Sequence, residues 1–148
     1  MPDWTRHLRP LALLSLSPLI IASPATAHHS PALFDQGRDL TLQGVVTRFE
    51  WANPHVYLYV ETKDNVGPRL VWIIDAQSPR VMSLFGWSPG SLAAGDRVTV
   101  ATNPARNGDG TRALGRSVVR PDGTVLKIPW APGEVREALR TEPGRNAR

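Results

Sequence analysis

Three histidines, His28, His29 and His55, are the residues whose type and spacing carry the most chemistry in this chain. His28 and His29 are adjacent and follow Ala25-Thr26-Ala27, the small-x-small pattern after which signal peptidase cuts. A cut there makes His28 the first residue, with a free α-amine beside its own imidazole. An α-amine has a pKa of roughly 7.7–8.0, so a metal ion displaces its proton near neutral pH. Amine and imidazole of one residue then form a chelate, and a second imidazole completes a T-shaped nitrogen set. Tetragonal nitrogen sites of this kind suit Cu(II). Either His29 or His55 supplies the second imidazole.

His55 closes the segment Trp51-Ala52-Asn53-Pro54-His55. Pro54 restricts Asn53 to extended conformations, and a fixed turn holds His55 at the start of a strand. The segment from Ser30 to Arg38 spans about 30 Å when extended, so reach between the terminus and His55 is not a constraint. The arrangement resembles the histidine brace of lytic polysaccharide monooxygenases and of some periplasmic copper carriers. That resemblance covers one terminal residue and one imidazole, not a fold. Plainer readings stand beside it. His28 and His29 also suit a polar chain start, and His55 suits a half-buried histidine satisfied by a backbone carbonyl. Trp51, Tyr57, Tyr59 and Trp72 suit barrel wall. The competing function is a binding face of Trp51, Asn53, Tyr57 and Tyr59 for a peptide, a glycan or an envelope protein.

Catalysis finds little support. Asp35, Asp39, Glu50, Glu61 and Asp75 are scattered, with no spacing that forces two carboxylates together for acid–base work. Ser30 follows two histidines, but no buried acid or oxyanion hole is marked. Gly108-Asp109-Gly110 and Pro121-Asp122-Gly123 read as turns, not phosphate loops. The chain has no cysteine. That excludes a lipobox anchor, disulfides, thiolate metal sites and a cysteine nucleophile.

Export is read from the first residues. Arg6, His7 and Arg9 form a basic n-region, and Leu11 to Ala22 form a charge-free, largely apolar h-region. A membrane-spanning helix needs roughly 20 apolar residues, more than this run provides. No second such run follows, so no membrane span is expected and the periplasm of a Gram-negative cell fits best. A pI of about 10.3 would raise nucleic-acid binding. Export argues against it, and Arg136, Arg140, Arg145 and Arg148 place much of the basicity in the tail. Expected partners are a metal ion, copper first, or an envelope protein.

The elements that must position these residues are short and β-rich. Leu40 to Trp51 is apolar on even positions (Leu40, Leu42) and then on odd ones (Val45, Phe49, Trp51), with Gly44 at the switch. A phase change at a glycine predicts a bulge, or a strand coiling between two sheet faces. His55 to Glu61 alternates, with Val56, Leu58 and Val60 on one face. Arg69 to Asp75 is apolar on both faces, which predicts burial on both. Ser78 as N-cap, Pro79 at N1 and Gly86 as stop predict a helix with Val81, Met82 and Phe85 inward. Strands follow at Arg97–Thr102, Ala113–Arg120 and Thr124–Ile128.

Three strands, a helix and two strands, opened by a long coiled strand, is the order of an OB-fold barrel. The expectation is a mainly β chain, a small OB-fold-like barrel of five to six strands with one short helix. Its parts are a signal peptide over 1–27, an N-terminal mature segment over 28–38, the barrel over 39–130 and a flexible basic tail over 131–148. Within that tail, Glu134–Arg140 has helical composition.

Several segments together are specific: Ala27-His28-His29-Ser30, Trp51-x-Asn53-Pro54-His55, Gly86-Trp87, Leu92-x-x-Gly95-Asp96-x-Val98-Thr99-Val100 and Asn103-Pro104-Ala105-Arg106-x-Gly108. They resemble an exported Gram-negative family known only as a domain of unknown function. The resemblance spans nearly all of the chain after residue 27. It implies one small periplasmic β-rich domain, and its histidine motifs fall on His28, His29 and His55.

Overall fold

The computed structural model describes residues 31–63, 68–108 and 110–142. Six strands, β1 (Leu40–Glu50), β2 (Tyr57–Lys63), β3 (Arg69–Asp75), β4 (Arg97–Pro104), β5 (Arg112–Val119) and β6 (Val125–Lys127), form one sheet. Its order is β3-β2-β1-β4-β5-β6, and β3 also pairs with β5. That extra pairing closes five strands into a barrel and leaves β6 as an addition on the edge of β5. The β3–β5 ladder is parallel, joining Ile73, Ile74 and Asp75 to Arg112, Ala113 and Leu114. Helix α1 (Pro79–Leu84) lies between β3 and β4 in the chain. A five-stranded barrel closed by strands three and five, with a helix after strand three, is the OB arrangement.

β1 is long because it serves two ladders. Its first half pairs with β4, from Leu40↔Thr102 to Val45↔Arg97, and its second half pairs with β2, from Gly44↔Thr62 to Glu50↔Tyr57. Gly44 and Val45 belong to both. A Cβ at Gly44 would fall onto the carbonyl oxygen of Glu61 and the Val60 side chain. Glycine is therefore required there by close approach of β2, not by turn geometry.

The apolar phase of β1 changes elsewhere than expected. Val46, not Val45, is buried at 1% exposure, so the inward set stays on even positions through Gly44. The register shift falls between Val46 and Arg48. This bulge at Thr47 brings Phe49 into phase with the core, against which Phe49 and Trp51 pack. β3 also departs from expectation. Only its C-terminal half is enclosed; Leu70 and Val71 are 37% and 43% exposed. The reason is closure: β5 covers β3 only from Ile73 onward.

The other inward positions lie where the alternation placed them. Leu42, Val56, Leu58, Val60, Ile74, Val98 and Val100 are buried. Burying each such side chain is worth roughly 1.5–3 kcal/mol. Helix α1 is capped by Ser78, whose hydroxyl accepts from the Val81 N–H at 3.4 Å, and it drives Met82 fully into the core. Gly86, at φ +84°, ends the helix as the sequence predicts. Trp87 then buries its ring and donates its indole N–H to the Lys127 carbonyl at 2.8 Å, tying the helix exit to β6.

Within 131–148, helix α2 (Pro132–Thr141) is formed. It meets α1 through an Arg80–Glu142 ion pair of 2.8 Å. Among the described residues no helix is long and apolar enough to cross a membrane.

Candidate functional site

The side chains of interest gather on the outward face of β1, β2 and β3 and in the two loops beside it. The loop from Trp51 to Val56 carries the Asn53–Pro54 peptide, which is cis. Asn53 is exposed in it. Trp51 is not part of an open face: its ring lies 5.9 Å from that of Phe49, itself 6.0 Å from Trp87, and it packs on the core.

His55 is half-buried where the loop enters β2. Its Nδ1 lies 3.1 Å from the Ala76 carbonyl oxygen. A carbonyl only accepts, so Nδ1 is the donor and the lone pair of the neutral ring is on Nε2. The backbone beside the ring is pinned, since Val56 N–H donates to Gln77 O and Ala76 N–H to Val56 O, each at 3.0 Å.

Tyr57 and Tyr59 point outward from β2, as the alternation requires. Across the ladder to β1 they stand opposite Glu50 and Arg48. The Tyr59 hydroxyl donates to Glu50 Oε2 at 3.4 Å, and the Arg48 guanidinium lies 5.1 Å from the ring centroid while pairing with Glu50 at 2.7 Å. Tyr57 stands opposite Asp75 on β3. The Asp75 carboxylate is buried, and Arg112 reaches it from β5 with two hydrogen bonds, Nε to Oδ1 at 3.1 Å and Nη2 to Oδ2 at 2.8 Å. Burial pushes the Tyr57 phenol above its ordinary pKa. The charge on Asp75 adds to this rise and Arg112 opposes it.

The second loop, between β4 and β5, receives the N-terminal segment. Asp35 N–H donates to Pro104 O at 2.8 Å, Arg106 N–H to Leu33 O at 2.9 Å, and Arg106 Nε to Phe34 O at 3.0 Å. Phe34 is buried and bridges to Ala105. Ala32, Leu33, Arg106 and Arg112 line a small cavity of about 190 Å³ at this junction. Arg112 therefore joins the loop to the Tyr57–Asp75 cluster, and Ala76 joins that cluster to His55.

Of the residues singled out by sequence, the structure brings His55 and Tyr57 to one cluster and Tyr59 beside it. Asn53 stays in the loop and Trp51 in the barrel wall. His28 and His29, like residues 1–27, which the sequence reads as a signal peptide, lie outside the described residues. Among the described residues no group of three or more histidine, cysteine, aspartate or glutamate side chains forms a metal cage. Sequence reasoning missed Asp75 and Arg112. The available signal was an acid ending an otherwise apolar strand, a position that demands a cation.

A closed OB-type barrel with a polar, tyrosine-bearing face is the class of protein these elements define. The chain belongs to a family of unknown function, DUF6152, which matches residues 17–114. No curated protein matches it. Among solved structures it is similar to the mitochondrial single-stranded DNA-binding protein Rim1 of S. cerevisiae, at 11% identity and a TM-score of 0.42. That match covers 62% of this chain and 96% of the other.

Proposed function

We propose that this chain is a periplasmic Cu(II)-binding protein, a carrier or buffer rather than a catalyst, exported by cleavage after Ala27. The metal is held by the α-amine and imidazole of His28 together with the His55 imidazole, with His29 as the alternative second arm. The observation that carries this reading is the 3.1 Å hydrogen bond from His55 Nδ1 to the Ala76 carbonyl, a bond that a plain half-buried histidine would also make. A backbone carbonyl on one ring nitrogen is the usual outer partner of a metal-ligating histidine, because it sets the tautomer and aims Nε2. Anchorage of residues 33–35 beside the β4–β5 loop supports it further, since that loop adjoins Arg112 and Asp75.

The test is Cu(II) titration of the mature chain, followed by electron paramagnetic resonance, with intact mass establishing the start at His28. One equivalent binds to the native mature chain. An extra residue before His28 and the substitution His55→Ala each weaken binding strongly, whereas Arg136→Gln does not. Acidification releases the metal, because both the amine and the imidazoles must be deprotonated. Equal affinity with and without the extra residue eliminates the terminal chelate.

A second reading is favoured by the face itself. Tyr57 and Tyr59, braced by Arg48, Glu50 and Asp75, lie on the strand surface that OB barrels use for extended ligands. A non-enzymatic module for a peptide, glycan or envelope protein would use that surface. It predicts that Tyr59→Ala abolishes partner binding and leaves Cu(II) affinity intact.

A further inference from the structure

We infer that a groove at the bend of β1, distinct from the His55–Tyr57 face, is a binding site for a phosphate-type oxyanion. The bend arises where Gly44 and Val45 pair with β2 on one side and β4 on the other. Outward side chains of both ladders converge there on a groove of about 600 Å³. Four cations line it, brought from four separate places in the chain: Lys63 ends β2, Arg69 begins β3, Arg97 begins β4 and Arg120 follows β5.

Among the described residues the counter-charges do not neutralise this set. Glu61 sits 2.9 Å from Arg69, and Asp122 only 3.7 Å from Arg120. Among the described residues Lys63 and Arg97 make no ion pair and no side-chain hydrogen bond. Arg120 Nε is buried with no hydrogen-bond partner in the described structure, a condition that calls for a bound group or water. Gln43 and Thr99, which pair across the β1–β4 ladder, add neutral donors to the same lining. Guanidinium groups grip tetrahedral oxyanions through two parallel N–H donors, and a lysine ammonium adds point charge. The groove therefore takes a phosphate ester, either a soluble compound or the headgroup of an anionic lipid.

The experiment uses the full chain, purified without added metal and kept at constant ionic strength. Inorganic phosphate is titrated while backbone amides are followed by NMR, and vesicles of phosphatidylglycerol or phosphatidylcholine are tested by co-sedimentation. Phosphate shifts the amides of Gly44 and Thr99. The K63Q/R97Q variant weakens binding by about tenfold or more, the worth of one charge-assisted hydrogen bond. R136Q/R140Q removes the same charge from α2 and leaves it nearly unchanged. Phosphatidylglycerol binding that K63Q/R97Q loses and R136Q/R140Q keeps supports the site and assigns it to a lipid headgroup. Phosphate binding without vesicle binding supports it and assigns it to a soluble compound. Equal weakening by both double variants, or no binding of either probe to the native chain, overturns it. Unfolding curves confirm that each variant is folded.

Discussion

Asp75 on β3 and Arg112 on β5 clasp across the parallel seam that closes the barrel, with bonds of 3.1 and 2.8 Å to the two carboxylate oxygens. The two ends of the clasp are unequally placed. The Asp75 side chain is 4% exposed and that of Arg112 is 32%. Arg112→Ala strands a buried carboxylate and should cost about 3–5 kcal/mol in urea unfolding. Asp75→Ala leaves a guanidinium that can turn to solvent, so its loss should be smaller. Equal losses would show that the seam depends on packing rather than on the buried charge.

Gly44→Ala should destabilise by about 1–3 kcal/mol or more, because the new methyl meets the Glu61 backbone, which cannot move without opening the β1–β2 ladder. Gly133→Ala is the contrast. A Cβ there meets nothing, and in helix α2 the change should be neutral or stabilising by up to about 1 kcal/mol. Thermal unfolding of the two variants side by side reads the difference.

Tyr57 should titrate above the ordinary phenol value of 10.0. The chain has two tyrosines, so the Tyr59→Phe variant isolates Tyr57 for absorbance titration near alkaline pH. The folded state holds this proton more tightly than the unfolded chain does. Its contribution to stability is therefore complete below pH 10 and is lost as pH rises through the higher folded-state value. A midpoint at or below 10 would contradict the burial and the Asp75 charge assigned to this phenol.

Leu58→Ala should cost about 2–5 kcal/mol, because Leu58 is 3% exposed inside the barrel and the neighbouring strands cannot collapse onto the space it leaves. Val125→Ala, on the β6 edge at 63% exposure, should change stability by less than about 0.5 kcal/mol. Denaturant midpoints with unchanged slopes distinguish these outcomes from a change in the unfolded state.

Local pattern determined much of this protein. Strict alternation in β2 settles which side of the strand carries Tyr57 and Tyr59, because the side-chain period of a strand is two. Ser78, Pro79 and Gly86 settle where α1 starts and stops, because capping acts within one turn. Strand and helix order already implies the barrel. Tertiary structure decided the rest. Val45 and Val46 are both apolar, so the sequence cannot say which faces inward; the bulge between Val46 and Arg48, just past the end of the β1–β4 ladder, decides. Burial of β3 depends on how far β5 extends beside it. The Asp75–Arg112 clasp joins residues 37 positions apart, and no spacing rule within a strand or helix reaches that far. The same holds for the cation groove, whose members meet only when β1 bends. Periodicity is a property of neighbours in the chain, whereas closure and charge clusters are set by strands that become neighbours only on folding.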